Sequence, residues 1–238
     1  MRPTPSIVRK IHNATHPQLG VVLMLHRVVE SRSAEPEKRE LEITPRFLEK
    51  TIVSYRKQGY RFVSIDQMCD ILDGKDKTKP FACLTFDDGY RDNYTLALPV
   101  LKRLEVPFAV YVTTGFIDNR LPMWWYPNEQ LGLRREELIA LSKEPLCTIG
   151  AHTISHPRLD EMGADEQMKE VATSKRELEE ALRYPVNHFS YPHGACNDAT
   201  VGVVKECGFR SALMAWGGVV RKGDDRLRLP RVILKQNK

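Results

Sequence analysis

The stretch Phe81-Ala-Cys-Leu-Thr-Phe86 is apolar apart from one threonine, and it runs directly into Asp87-Asp88-Gly89. A strand without polar alternation is one buried on both faces, the habit of parallel sheet covered by helices. Comparable short apolar runs recur at 21–26, 61–64, 108–113, 147–152, 187–191, 211–215 and 227–234. Helical patterns separate them. Thr44-Pro45 reads as the N-cap and first turn of a helix over 46–58, which Gly59 stops. Leu96, Val100 and Leu104 share one stripe of a helix over 92–104, with a kink expected at Pro99. A third helix over 164–183 lines up Met168, Val171, Leu178 and Leu182, with the Lys175 stem lying along the same face. A last helix over 198–207 is closed by Gly208.

Strand–helix alternation of this kind demands parallel sheet, as a closed barrel or as an open doubly wound sheet. The polar residues choose between them. Asp87/Asp88, Thr113/Thr114, His152/His156 and Tyr191/His193 all follow the carboxyl ends of different runs. A barrel gathers those ends around one mouth, whereas an open sheet spreads them along an edge. The expected fold is therefore a single (β/α) barrel. With 238 residues, 42% of them apolar, the chain can build one core, and no Gly/Ser-rich or Pro-rich linker divides it. Residues 1–19 read as an N-terminal tail and 20–238 as one domain. Within that domain, 116–146 form a long excursion that carries Trp124, Trp125 and Tyr126 and a helix near 135–142.

The net charge of +5 gathers toward the ends, with Arg2, Arg9 and Lys10 at one and Arg221, Lys222, Arg226, Arg228, Arg231, Lys235 and Lys238 at the other. No element interleaves basic and aromatic residues, so nucleic acid is not an expected partner. Peripheral contact with an acidic membrane surface fits the charge, but the longest apolar run near the start, 21–25, is far too short to span a bilayer. Five cysteines without metal-type spacing and no apolar leader segment point to a reduced, cytoplasmic protein.

Asp-Asp-Gly alone is an ordinary turn. Its meaning comes from its place, because a buried strand delivers both acids to one mouth. His152 and His156, four apart, are expected on one side of a helical turn where they can grip one ion, with Thr153 and Ser155 steadying the rings. Two imidazoles and one carboxylate leave an open coordination position, the mark of a working metal site, and the second carboxylate remains free to handle a proton. Zn2+ is the default ion for such ligands, with Co2+, Ni2+ or Mn2+ as substitutes.

These strings carry a family resemblance. Thr85-Phe-Asp-Asp-Gly89 and His152-Thr-Ile-Ser-His156-Pro157 resemble the first two motifs of the polysaccharide deacetylases, the NodB-homology domains of carbohydrate esterase family 4. The resemblance covers roughly 20–238. It implies a distorted (β/α) barrel and metal-dependent removal of N- or O-acetyl groups from sugars. Asp88, His152 and His156 would bind the metal, and Asp87 would be the general base. Phe189-Ser-Tyr-Pro-His-Gly194 is similar to the third motif, where the backbone N–H of His193 would stabilise the oxyanion.

The chain departs from that pattern twice. Ser190 stands where the family places an arginine that orients the catalytic aspartate, and no histidine follows His193 to serve as the late general acid. A branch of the family carries that histidine on its first strand, in a segment like Leu23-Met-Leu-His26, which makes His26 the candidate acid. Arg231 is the candidate replacement guanidinium, ahead of Arg27 and Arg91. Tyr191 and Trp125 are candidate substrate contacts, with the Trp124-Trp125 pair as a sugar-stacking wall of which at least one ring serves the fold instead. The expected function is metal-dependent deacetylation of an acetylated amino sugar in a polysaccharide, oligosaccharide or lipid-linked precursor. The alternatives are a non-catalytic carbohydrate-binding protein on the same barrel and, behind it, a non-haem iron oxygenase using the two histidines and one carboxylate.

Overall fold

The computed structural model describes residues 17–236. Most of the tail expected over 1–19 therefore lies outside the described residues, as do the charges at Arg2, Arg9, Lys10 and Lys238. The strands are β1 (Gln18–Leu25), β2 (Arg27–Val28), β3 (Glu42–Ile43), β4 (Arg61–Phe62), β5 (Phe81–Phe86), β6 (Phe108–Val112), β7 (Cys147–Ala151), β8 (His188–Ser190), β9 (Ser211–Gly217), β10 (Val219–Arg221) and β11 (Leu229–Ile233). The first strand thus begins before the end of the expected tail. Seven of them close on one another in the order β1-β5-β6-β7-β8-β9-β11, every pairing parallel. The closing seam pairs β1 with β5 from Gly20↔Phe81 to Leu25↔Phe86. β4 extends β5, and β10 lies antiparallel to β1. The fold is the closed parallel barrel expected from the polar residues at the strand ends.

Around it lie α1 (Pro36–Leu41), α2 (Pro45–Lys57), α3 (Ile65–Leu72), α4 (Leu98–Arg103), α5 (Arg135–Ser142), α6 (Ala164–Leu182) and α7 (Asp198–Glu206). Thr44 caps α2 by accepting the Phe47 N–H at 3.2 Å, with Pro45 in the first turn. The sequence reading missed α3, although Ser64 and Gln67 form a full capping box there. The helix expected over 92–104 is two pieces, a π-helical turn over Asn93–Ala97 and then α4, because Pro99 offers no N–H to the preceding turn.

Two apolar clusters sort the strand side chains by parity, as a period of two requires. Ala82, Leu84 and Phe86 of β5, with Phe108, Val110 and Val112 of β6, pack into the larger cluster with the helices. Phe81 and Cys83, Ala109 and Tyr111, Leu213 and Leu229 form the smaller cluster inside the barrel. A third, separate cluster joins Tyr90 to Phe116, Met123 and Tyr126 of the excursion, which thus carries its own small core. Among the described residues no helix is long and apolar enough to cross a membrane.

Candidate active site

The inward parity continues past the strand ends and assembles the site. Stepping in twos from Cys83 and Thr85 reaches Asp87. The same step along β1, β7, β8 and β11 brings His26, His152, Ser190 and Arg231 to the barrel mouth. A cavity of ≈ 460 Å3 opens there, lined by His26, Asp87, Asp88, His152, His156 and His193 among others.

Asp88 leaves the strand with φ +74°, a left-handed turn that swings its carboxylate back toward the cavity floor beside Asp87. Its Oδ1 lies 3.4 Å from His152 Nε2 and 3.3 Å from His156 Nε2. That oxygen is buried and has no hydrogen-bond partner among the described residues. An orphaned buried carboxylate oxygen equidistant from two ring nitrogens fits a cation. Ligand bonds of about 2.0–2.2 Å in a tetrahedron place ligand atoms about 3.3–3.6 Å apart. Asp88, His152 and His156 form the single cluster of metal-binding type among the described residues, with ligand atoms within 4.8 Å of one another. The observed donor set fits the implied ion. Burial disfavours the Asp88 carboxylate, yet His156 and His152 outweigh burial and hold its carboxyl well below the ordinary value.

The histidine pair is not on a helical turn, contrary to the spacing argument. Thr153 has φ +67° and His156 φ +64°, so the segment is an irregular loop. Glu170 of α6 holds that loop, accepting the Ile154 and Ser155 N–H groups at 2.8 and 3.0 Å and the Ser155 hydroxyl at 2.7 Å. Ser155 therefore does not steady a ring. Thr153 accepts the His156 N–H at 3.1 Å and donates to the His152 carbonyl, so it braces backbone. The anchor of the His152 ring is the Ser190 carbonyl, 2.7 Å from Nδ1. No sequence signal marks either Glu170 or that carbonyl.

Arg231 occupies the place expected of it. It is fully buried and grips Asp87 with two parallel bonds, Nη1 to Oδ1 at 2.8 Å and Nη2 to Oδ2 at 2.6 Å. Ser190 Oγ donates to Asp87 Oδ2 at 3.2 Å and accepts from Arg231 Nη2 at 2.9 Å. Burial opposes the Asp87 carboxylate, but Arg231 and His152 win and keep its carboxyl below the ordinary value. The other guanidinium candidates serve elsewhere: Arg27 bonds Asp92 at 2.9 Å, and Arg91 bonds Glu137 at 2.8 Å.

His26 follows β1 and lines the cavity; its backbone carbonyl accepts from Asn93 Nδ2 at 2.8 Å. Burial lowers its pKa, with Asp88 and Asp87 pulling the other way. His193 sits in a left-handed turn at φ +57°, its ring 4.6 Å from that of His156, and burial with His156 and His152 pushes its pKa down to about 4.

Both residues expected as aromatic contacts line the cavity, and each is also tied to the fold. Tyr191 has the outward parity of Phe189, packs edge-on against that ring at 5.3 Å, and spends its hydroxyl on the Leu227 carbonyl at 2.8 Å. Trp125 is tied down by its indole N–H, which donates to the Tyr90 hydroxyl at 2.6 Å, and its ring lies 4.9 Å from His156. Trp124 lines the same cavity and is the most exposed of these rings, at 65%, stacked near His193 at 6.4 Å. Trp216, just past the carboxyl end of the run expected at 211–215, is 54% exposed beside Gly194.

Comparison with known proteins agrees with the motifs. The family profile "Polysaccharide deacetylase" matches residues 74–212. YxkH of Bacillus subtilis (strain 168), whose name assigns it provisionally to that family, is 25% identical over 213 residues, covering 89% of this chain and 70% of its own length. A poly-beta-1,6-N-acetyl-D-glucosamine N-deacetylase of Staphylococcus aureus (strain MRSA252) is 23% identical over 65% of this chain, and the match spans only 54% of that relative. Among solved structures, IcaB from Ammonifex degensii superposes with a TM-score of 0.77 at 25% identity, covering 92% of each chain. The Streptococcus pyogenes deacetylase PplD in complex with acetate shares the fold at a TM-score of 0.78 and 23% identity, covering 90% of this chain and 92% of its own. With the profile matching more than half of its length, the chain belongs to the polysaccharide deacetylase family.

Proposed function

We propose that the protein hydrolyses the N-acetyl group of an amino sugar in a polysaccharide, oligosaccharide or lipid-linked glycan, using one divalent ion held by Asp88, His152 and His156. The observation that carries this reading is the division of labour between adjacent carboxylates. Asp88 Oδ1 is buried without a hydrogen-bond partner among the described residues, while Asp87 is gripped by Arg231 through both oxygens. Zn2+ suits two imidazoles and a carboxylate. Bound there, such an ion supplies Lewis acidity, lowering the pKa of a water and polarising the acetyl carbonyl.

The remaining chemistry belongs to the chain. Asp87 is ionised at neutral pH and held in one orientation, so it accepts the proton of the attacking water. Arg231 and the Ser190 hydroxyl fix that carboxylate and keep it from taking Asp88's role. The His193 N–H serves the developing oxyanion, where one such donor is worth about 2.7–4 kcal/mol. His26 gives a proton to the departing amine, which leaves poorly without one. Products are acetate and the free amino sugar. Relatives named for poly-beta-1,6-N-acetyl-D-glucosamine make β-1,6-linked N-acetylglucosamine oligomers the first substrates to try.

Acetate release from such oligomers, with Zn2+ or Co2+ added and then removed by chelator, tests the reading. Activity should require the ion, and Asp87→Asn should retain the ion but lose turnover. A protein that binds the ion yet releases no acetate from any acetylated glycan would instead be the non-catalytic binder.

A further inference from the structure

The two imidazoles of the metal cluster are held in different ways. The Ser190 carbonyl fixes His152 through Nδ1 at 2.7 Å and leaves Nε2 facing Asp88. His156 also presents Nε2 to Asp88, but its Nδ1 is buried and without a hydrogen-bond partner among the described residues. A metal-binding imidazole ordinarily donates its second N–H to a carboxylate, carbonyl or water, and that bond sets the ring plane. His156 has rings around it instead. Trp125 lies at 4.9 Å with planes 55° apart, His193 at 4.6 Å and 64°, Phe116 at 6.4 Å and 34°.

Of these, Trp125 is a close ring that is fixed from outside the histidine cluster. Its indole N–H donates to the Tyr90 hydroxyl at 2.6 Å. Tyr90 is fully buried, with the Arg27 guanidinium 5.4 Å from its ring centre and Tyr126 edge-on at 6.3 Å. Tyr90 also stands two residues after Asp88, on the same turn. One hydrogen bond therefore links the segment that carries the carboxylate to the ring that walls the second imidazole.

We propose that Trp125, pinned by Tyr90, is a positioning residue for His156, setting by ring packing the imidazole plane that the Ser190 carbonyl sets for His152 by hydrogen bonding. The excursion over 116–146 is then part of the metal centre as well as part of the substrate cleft. Trp125 acts on the ion through His156, and Trp124 keeps the exposed sugar-facing place. The inference rests on the assignment of Asp88, His152 and His156 as ligands.

The test is titration of metal-stripped protein with Zn2+ by calorimetry and with Co2+ by visible absorption. Loss of an outer partner of a ligand typically weakens metal affinity about 10–100-fold, and Trp125→Leu should fall in that range. Tyr90→Phe keeps its ring but frees the indole; it should move affinity the same way by less and alter the Co2+ d–d bands. Trp124→Leu should change neither. If Trp125→Leu does not fold, Tyr90→Phe decides the matter alone. Folded Trp125→Leu and Tyr90→Phe with unchanged affinity and spectrum would overturn the proposal. So would a raised KM for glycan at unchanged metal affinity, which would make Trp125 a substrate contact. Retained metal affinity in His156→Ala would overturn the ligand assignment itself, and this proposal with it.

Discussion

The two ends of the barrel both bury histidine beside aspartate, with opposite outcomes. At the amino end, His188 opens β8 and uses both ring nitrogens, Nδ1 with Ser211 Oγ at 2.9 Å and Nε2 with Asp66 Oδ1 at 3.1 Å. Arg210 then covers Asp66 at 3.1 Å and Asp70 at 2.6 Å. At the carboxyl end, one inward step further along the same strand, Ser190 belongs to a cluster in which Asp88 Oδ1 and His156 Nδ1 have no partner among the described residues. Buried polar groups in native proteins are nearly always bonded, so an orphan needs an explanation. Here the matched histidine sits where β8 is tied to α3, and the orphaned Asp88 oxygen sits where the ion is proposed.

The sharpest way to break this contrast is to remove one histidine from each end. His156→Ala should abolish metal binding and acetate release. His188→Ala should leave the ion bound and instead lower the melting temperature. It leaves the buried Ser211 hydroxyl without this partner, at about 1–3 kcal/mol, and each kcal/mol shifts a chain of this size by about 2–4 °C. Calorimetric metal titration beside thermal melts separates the two outcomes, and a His188→Ala protein that lost the ion would end the comparison.

Arg231 tests whether a matched pair at the carboxyl end serves both purposes. Arg231→Met strands the Asp87 carboxylate in the interior, and breaking one partner of a buried pair costs about 3–5 kcal/mol. Denaturant unfolding should show that loss, and acetate release should fall with it while the metal ligands remain in place. His26→Ala is expected to be milder on the fold. Metal affinity should stay as it was, while turnover drops about 10²–10⁴-fold, the usual worth of a general acid. Full activity in His26→Ala would remove His26 from the mechanism.

The smallest effect belongs to the amino end. The hydrogen bond from His188, followed by Arg210, holds the Asp66 carboxyl below its ordinary value, against partial burial. A carboxyl lowered in the folded state stabilises the protein above its unfolded pKa of about 3.9, and that contribution is lost as pH falls through the folded value. Asp66→Asn should therefore melt slightly below the parent at pH 7, and the gap should narrow as the pH is taken below about 4. Parallel melting curves at every pH would deny Asp66 this role.

What the sequence determined by itself was whatever repeats at short range. Unalternated apolar runs announced parallel strands, and the run Phe81–Phe86 placed Asp87 and Asp88 together at one strand end. The strings around Asp88, His152 and His156 were complete enough to name a ligand set. Tertiary structure decided whatever joins distant strands or turns the chain against its local habit. Arg231 meets Asp87 across 144 positions, and only closure of the barrel brings β11 to β5's side of the mouth. The histidine pair looked helical by spacing, yet left-handed turns at Thr153 and His156, braced by Glu170 from another element, set it as a loop. Trp125 and Tyr191 both reach the cavity wall, and the hydrogen bonds to Tyr90 and to the Leu227 carbonyl that hold them there join residues no local pattern connects. Periodicity is a local property that a sequence displays. Which buried atoms find partners is settled only when every strand has taken its place.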